Sequence, residues 1–217
     1  MRGRIRSLFL ESPVGRLEAL LNEGDDPPRY GAVMCHPHPL FGGTMHNKVV
    51  FQAMKAINAH GIPVLRFNFR GVGKSAGEHD YGNGEQDDVR AALDWLHGEY
   101  RLPILFAGFS FGAATGLRVG CSDERVIALI SLGTPVSVDE RHYRYEFLHA
   151  CAKPKLFVSS DHDQYAPKME LESVLAAVPE PRQVIFIPSR DHFFEGALPQ
   201  MRQAVEKWVG DTFTSRP

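Results

Sequence analysis

Strand-length apolar runs alternate with segments of helical hydrophobic period along most of the chain. Most of these runs are apolar at successive positions, so both faces of the strands that they predict must be covered. Helices between such strands provide that cover and let neighbouring strands run parallel. The runs span residues 31–36, 63–69, 103–109, 125–132, 154–160 and 182–189. They predict an α/β fold with a mostly parallel central sheet and helices on both faces.

Two further strand-length stretches, "RIRSLFLES" and "GRLEALLN", precede these runs, and Pro13 and Gly15 separate them. Turn residues between two such stretches predict a β-hairpin, which we expect at an antiparallel edge of the sheet. A length of 217 residues fits one domain, and the sequence shows no internal repeat and no low-complexity linker. We therefore expect residues 1–217 to form a single domain.

Charge, cysteine content and hydropathy argue against several classes of protein. The chain has 24 Lys and Arg against 26 Asp and Glu, a balance that favours neither nucleic acid nor an anionic membrane as partner. Cys35, Cys121 and Cys151 lie far apart, which argues against a disulfide framework or a cysteine-rich zinc site. The apolar patch at 8–10 is too short for a secretory signal, and no apolar run reaches the ~18 residues of a membrane span. We expect a soluble cytoplasmic protein with a small-molecule partner; the oligomeric state is left open.

The pentapeptide "GFSFG", residues 108–112, follows one predicted strand and precedes a segment of helical period. It has the G-x-S-x-G pattern of a nucleophile elbow, a sharp strand-to-helix turn that exposes a serine hydroxyl. Such a turn needs small residues two positions before and after the serine, because side chains there would collide with their neighbours. Gly108 and Gly112 meet this need, so Ser110 is the predicted nucleophile.

A serine nucleophile needs a general base, and with this elbow the acid and then the histidine follow the serine along the chain. Only His162 and His192 follow it at the carboxyl end of a predicted strand, and His192 comes after the last strand, in "PSRDHFFEG". The preceding loop, "SSDHDQYAP", offers Asp161 and Asp163. We favour Asp163, which lies further out of its strand, whereas Asp161 is expected to bracket the turn. Asp191 is expected to be a helix N-cap.

Acyl transfer also needs an oxyanion hole, usually built from the amide after the nucleophile and a second amide from an earlier loop. Phe111 follows the nucleophile, and the earlier loop is "CHPHPLFGG", residues 35–43. Its prolines have no N–H, so the candidate donors are His36, His38 and Leu40, of which we favour His38 and then Leu40. A metal site that uses His36, His38 and His46 is the alternative, although no carboxylate or cysteine cluster lies nearby in sequence.

The stretch "RFNFRGVGKSAG", residues 66–77, resembles a phosphate-binding loop through Gly73, Lys74 and Ser75. A phosphate-binding loop needs a glycine where Asn68 stands, and its helix must follow at once, whereas helical period resumes here only at about residue 83. We therefore interpret the stretch as a turn at the carboxyl edge of the sheet, after a strand expected beside the nucleophile strand. Arg70 and Ser75 are candidates for fixing neighbouring loops.

Four motifs together resemble the α/β-hydrolase superfamily over roughly residues 30–210: "HPHPLFGGTMHNKVV", "RFNFRGVGKSAG", "AGFSFG" and "DHFFEG". They are similar to small bacterial hydrolases that lack a lid, related to the dienelactone-hydrolase and serine-aminopeptidase branches. The resemblance implies a serine hydrolase, commonly an esterase, with Ser110, Asp163 and His192 at the triad positions. The chain departs from the pattern at His46, where an acidic residue is expected, and at Ser160, where glycine is frequent.

The segment between "LGTPVS" and "KPKLFVSS" is too short for the helical cap domain that some superfamily members insert there. We therefore expect an open pocket, with aromatic walls drawn from Phe41, Phe109, Phe111, Tyr143, Phe193 and Phe194. The predicted activity is that of a cofactor-independent carboxylesterase acting on a small or exposed acyl ester. Thioesterase or peptidase activity and a non-catalytic binding protein on the same fold are the open alternatives.

Overall fold

A computed structural model describes residues 4–25, 27–138 and 141–213 of the chain. Its strands are β1 (Ile5–Ser12), β2 (Gly15–Asn22), β3 (Gly31–Cys35), β4 (Val64–Phe67), β5 (Ile104–Phe109), β6 (Val126–Leu132), β7 (Ser137–Val138), β8 (Arg141–His142), β9 (Lys155–Ser160) and β10 (Arg182–Ile187). Its α-helices are α1 (Lys48–Asn58), α2 (Glu85–Tyr100), α3 (Phe111–Ser122), α4 (Lys168–Leu175) and α5 (Leu198–Phe213). The six long apolar runs therefore all form strands, as predicted.

Eight strands form one sheet in the order β1-β2-β4-β3-β5-β6-β9-β10. The hairpin β1–β2 is antiparallel, β2 pairs antiparallel with β4, and the remaining neighbours are parallel. This confirms the α/β fold with an antiparallel hairpin at one edge. One expectation was wrong: β4 does not lie beside the nucleophile strand β5, because β3 pairs with both of them. Strands β7 and β8 form a separate two-stranded ribbon.

The sheet has a hydrophobic core on each face, which explains why its central strands are apolar at successive positions. In β5, Phe106 faces the core that includes Leu93 of α2 and Leu117 of α3. Its neighbour Leu105 faces the opposite core, which includes Val50 of α1 and other residues of α1 and α5. Full burial of a side chain of this size stabilises the fold by about 2–3 kcal/mol. The alternation fixes the register of β5 and with it the position of the loop that follows.

Strands β4 and β10 end earlier than their apolar runs do, and side-chain hydrogen bonds anchor the loops at their carboxyl ends. After β4, the Asn68 side chain accepts a hydrogen bond from the Met45 amide at 2.9 Å, which anchors the loop before α1 to the strand end. After β10, the Ser189 amide donates to Asp161 Oδ1 at 3.0 Å instead of continuing the ladder. Both departures lie at the carboxyl edge of the parallel strands, where loops diverge to form a site.

The connection from β6 to β9 determines how open this edge is. In its described part, residues 133–138 and 141–154, it contains the ribbon and a short 3-10 turn, Glu146–Ala150, and no α-helix. A helical lid over the carboxyl edge is therefore absent from the described residues, as predicted. Across the same described ranges, no helix combines the length and apolar character needed to cross a membrane.

Candidate active site

Ser110 stands in the turn between β5 and α3 in a strained backbone conformation. Its φ of 56° and ψ of −123° lie outside the regions that non-glycine residues favour, and its amide donates to the Leu132 carbonyl at 2.9 Å. A Cβ at Gly108 would lie 2.7 Å from the backbone nitrogen of Ala113, and a Cβ at Gly112 would collide with the carbonyl oxygen of His36. The two glycines therefore allow the tight turn that carries the serine.

Asp163 and His192 form a buried pair in the loops after β9 and β10. His192 Nδ1 lies 2.8 Å from Asp163 Oδ2, and the two side chains are 1% and 0% exposed. The carboxylate also accepts hydrogen bonds from the Ser159 hydroxyl at 3.3 Å and from the amides of Tyr165 and Ala166 at 2.9 and 3.2 Å. These donors fix the carboxylate, so that the imidazole donates its Nδ1 proton to it and keeps Nε2 as an acceptor.

Three aromatic rings and one glycine hold the imidazole of His192 in place. It stacks on Phe109 with ring centroids 4.9 Å apart and meets Tyr165 and Phe193 edge-on. A Cβ at Gly133 would lie 2.9 Å from its Cε1, so the glycine makes room for the ring. Nε2 is buried and has no hydrogen-bond partner among the described residues. A fixed imidazole with one uncommitted nitrogen is suited to accept a proton.

Ser110 and His192 both line a cavity of about 70 Å³. Four of the six expected aromatic walls line it: Phe41, Phe111, Tyr143 and Phe193. The other two do not, since Phe109 and Phe194 are fully buried in the core and the former supports the imidazole from behind. A larger open depression of about 910 Å³ lies against α5 and contains none of these residues.

The competing carboxylates have other partners. Asp161 Oδ1 accepts from the Ser189 amide and lies 2.8 Å from Nδ1 of His162, whose side chain is 73% exposed. The Ser189 amide and His162 lower the pKa of Asp161, and Asp161 in turn raises the pKa of His162. Asp161 thus brackets the turn, as expected.

The prediction that Asp191 caps a helix was wrong, because α5 begins only at Leu198. Its Oδ1 accepts instead from amides of the turn that carries His192, at 2.9 and 3.0 Å.

The loop after β3 separates its two histidines into different environments. His36 is buried; its Nδ1 donates to the Pro37 carbonyl at 2.6 Å and its Nε2 accepts from the Phe69 amide at 3.0 Å. Burial lowers the pKa of His36 to about 4. Both ring nitrogens are engaged, so His36 is not available as a metal ligand. The ring of His38 accepts from the Leu40 amide at 3.3 Å, which engages that amide within the 3-10 turn Pro39–Phe41.

A second buried histidine–carboxylate pair, not singled out from the sequence, lies beside this loop. His79 Nδ1 lies 2.7 Å from Glu85 Oε1, with side-chain exposures of 6% and 0%. The His79 ring packs on both His38 and Phe111, at centroid distances of 4.8 and 5.4 Å. The one sequence signal was the pair of glycines at 82 and 84 between a histidine and a helix start, which is too common a pattern to mark a site.

The glycine-rich stretch at 66–77 holds loops together. Arg70 forms a buried ion pair with Asp88 of α2, with its Nη2 2.8 Å from Oδ1, and its amide donates to the same carboxylate. The Lys74 amide donates to the carboxylate of Glu18 at 3.1 Å. A phosphate cradle turns its amides toward an anion, and here the protein's own carboxylate accepts from this amide. The stretch is therefore scaffolding, as predicted.

A mostly parallel sheet with a strained serine between strand and helix, and a buried histidine–carboxylate pair at the same edge, defines the class of α/β proteins built around a nucleophile elbow. Residues 34–208 match the family model described as "Alpha/beta hydrolase domain". The chain therefore belongs to the α/β-hydrolase family.

Known proteins support the same assignment. The chain is similar to an alpha-beta serine hydrolase homologue from Coxiella burnetii, with 35% identity, a TM-score of 0.83, and 93% and 96% of the two chains covered. It is also similar to a lidless serine hydrolase from Xanthomonas campestris, with 33% identity, a TM-score of 0.87 and coverage of 99% and 97%. An uncharacterised protein of Rickettsia prowazekii is 31% identical over 93% of this chain and 87% of its own length. These similarities support a hydrolase function.

Proposed function

We propose that the protein is a serine hydrolase, most simply a carboxylesterase, that acts through an acyl-enzyme. One observation carries the proposal: His192 is tied through Nδ1 to a buried carboxylate, leaves Nε2 without a partner among the described residues, and lines the same cavity as Ser110. Nucleophile, base and orienting acid are thus held at one edge of the sheet by three separate loops. This is the arrangement that serine hydrolysis requires.

In the proposed mechanism, the Ser110 hydroxyl attacks the ester carbonyl carbon while its proton passes to His192 Nε2. The tetrahedral intermediate collapses, the bond to the alcohol oxygen breaks, and the imidazolium returns the proton to that alcohol. A water molecule then attacks the acyl-serine, with His192 again as base, and releases the carboxylic acid. Asp163 keeps the imidazole in the tautomer with Nδ1 protonated and stabilises its positive charge.

The proposed oxyanion hole uses the amides of Phe111 and His38. Phe111 is the first residue of α3, where amide groups have no intrahelical acceptor and the helix dipole favours negative charge. The Leu40 amide already donates to the His38 ring, which favours His38 as the second donor. The His79–Glu85 pair is proposed to hold the two donor residues in register, since the His79 ring contacts both of their side chains.

The small cavity suits a short acyl group better than a long one, because about 70 Å³ is well below the ~300 Å³ at which pockets begin to enclose drug-sized ligands. We propose that residues 1–217 act as one domain on such an ester, without a cofactor and in the cytoplasm. Thioesters and activated amides share the acyl-transfer chemistry and are the substrates to compare. A non-catalytic binding protein would lack the reactive serine.

A fluorophosphonate probe tests the proposal directly. We expect one equivalent to label the wild-type protein at Ser110, identified by peptide mass spectrometry, and no labelling of Ser110→Ala. Hydrolysis of p-nitrophenyl esters of increasing acyl length, with a thioester and an aminoacyl anilide included, then assigns the preferred bond. A folded wild-type protein that takes up no probe and cleaves none of these substrates contradicts the proposed function.

A further inference from the structure

A second cavity, of about 240 Å³, lies next to the proposed acyl site. Tyr143 lines both cavities, so its side chain stands at the boundary between them. Part of the lining of the second cavity is the face of α3 formed by Ala114, Thr115 and Arg118, and another part is residues 142–145, which run from the end of the ribbon. The helix that begins at the nucleophile therefore also forms this neighbouring space.

The lining of the second cavity is basic. It includes Arg118, Arg144 and His142, and none of its described lining residues is acidic. Among the described residues, no carboxylate forms an ion pair with either arginine, although six other arginines of the chain have such partners. Asp139 and Glu140 lie outside the described residues. An anion entering the cavity would meet guanidinium groups that no described carboxylate has neutralised.

Arg118 is held in an orientation that suits this position. Its Cζ lies 4.6 Å from the centroid of the Phe147 ring, and its Nη2 donates to the Arg144 carbonyl at 3.2 Å. Helical side chains lean toward the amino end of their helix, so Arg118 extends over the turn nearer to Ser110. Arg118 follows Ser110 by eight residues, which at about 1.5 Å per residue separates their backbones by about 12 Å along α3. The remaining guanidinium donors are thus within reach of a group carried by the substrate.

We propose that this cavity binds a carboxylate carried by the substrate while the scissile carbonyl lies at Ser110. The inference rests on the proposed esterase function and adds the substrate class: an ester with a negatively charged group some distance from the reacting bond. Arginine is suited to this role because its planar fork donates two parallel hydrogen bonds to a carboxylate. Two such residues at one cavity select a charged ester over a neutral one of equal size.

Matched substrates test the inference. On the acyl side, p-nitrophenyl half-esters of dicarboxylic acids, from succinate to suberate, are compared with the corresponding monoamides, which are neutral and nearly isosteric. On the alcohol side, butyrate esters of hydroxybenzoate and hydroxybenzamide form a second matched pair. The measured quantity is the ratio of kcat/KM for the acid to kcat/KM for the amide, in wild type, Arg118→Met, Arg144→Met and the double variant. Arg90→Met, on the exposed face of α2, is the control.

We expect wild type to prefer the acid in at least one series, most strongly at an intermediate chain length that spans the distance along α3. In the double variant, the acid-to-amide ratio of kcat/KM should fall about tenfold, equivalent to about 1.4 kcal/mol. The wild-type preference should also weaken with added salt. The neutral amides report folding and catalysis in every variant, so their rates should stay near wild type.

The inference is overturned if the ratio in the double variant equals that of wild type in both series, or if Arg90→Met lowers it equally. It is also overturned if wild type prefers the neutral amides throughout. In these cases the neutral esters are still hydrolysed and the fluorophosphonate still labels Ser110, so the proposed function stands. Failure of that function is distinguishable, because no substrate is then cleaved and no probe is bound.

Discussion

Lowering the pH should destabilise this protein through His36, a residue that the proposed chemistry does not use. The ring is fully buried, donates through Nδ1 to Pro37 and accepts through Nε2 from the Phe69 amide. It is therefore neutral in the fold, and burial is the main reason that its pKa falls from 6.5 to about 4. In the unfolded chain it regains an ordinary pKa, so between these two values the unfolded state binds more protons than the folded state.

The direction and the size of the change in stability follow from this difference in pKa. Stability contributed by the neutral ring is complete above about pH 6.5 and is lost progressively as the pH falls toward about 4, where the folded ring also titrates. At about 1.4 kcal/mol per pH unit, the loss amounts to about 3 kcal/mol. A domain with a typical stability of ~5–15 kcal/mol would lose a substantial fraction of it. Protonation removes the acceptor at Nε2, so the hydrogen bond from the Phe69 amide to His36 should be lost when the ring is protonated.

Urea denaturation followed by tryptophan fluorescence, repeated between about pH 7 and about pH 4, measures this loss. His36→Gln is the matched variant, since glutamine keeps a donor and an acceptor but does not titrate. It should be less stable than wild type near neutrality and should show a pH dependence smaller by about 3 kcal/mol. If the free energy of unfolding changes with pH by the same amount in wild type and variant, so that the two differ only by a constant, the reasoning is refuted.

Five further substitutions test the site. Ser110→Ala should lower kcat by at least ~10⁴-fold while circular dichroism stays unchanged; retained activity rejects the nucleophile. Asp163→Asn should lower kcat by about 10³- to 10⁴-fold and Asp161→Asn far less, so equal losses would remove the distinction between them. Gly112→Ala should reduce the free energy of unfolding in urea by about 1–3 kcal/mol, because its Cβ meets the His36 carbonyl. His79→Phe should lower kcat and the affinity for a boronate transition-state analogue by about tenfold or more with little change in KM; a rise in KM alone contradicts a positioning role.

The sequence predicted those features that depend on local pattern. Runs apolar at successive positions marked the sheet strands, and the spacing of Gly108, Ser110 and Gly112 marked the turn, because both depend on residues close together in the chain. The order of the strands did not follow from this information: β4 was expected beside β5, but β3 lies between them. Strand order is decided by which neighbours the long crossover connections permit, and the apolar pattern of β4 would suit either position.

The local sequence pattern also does not predict which loops, distant in the chain, lie close together in the fold. His79 and Glu85 are only six residues apart, yet their importance comes from contacts with His38 and Phe111 across the fold. The segment at 79–85 reads as an ordinary polar loop before a helix. The distance of Asp163 from its strand favours it over Asp161, and in the structure Asp163 pairs with His192 while Asp161 accepts from the Ser189 amide.

The contrast between two buried histidine–carboxylate pairs is what singles out His192 as the proposed base. In both pairs Nδ1 lies within 2.8 Å of a carboxylate oxygen, and in both Nε2 is buried without a hydrogen-bond partner among the described residues. Hydrogen bonding separates them in part, since Nδ1 of His192 donates to Asp163 whereas Nδ1 of His79 makes no hydrogen bond among the described residues. Burial and proximity to a carboxylate do not separate them. Position does: His192 lines the cavity that contains Ser110, whereas His79 lies behind it and contacts the side chains of the proposed oxyanion donors. A base must reach the proton that it removes, and a histidine that is walled off from the nucleophile acts on the reaction only by fixing the groups in front of it.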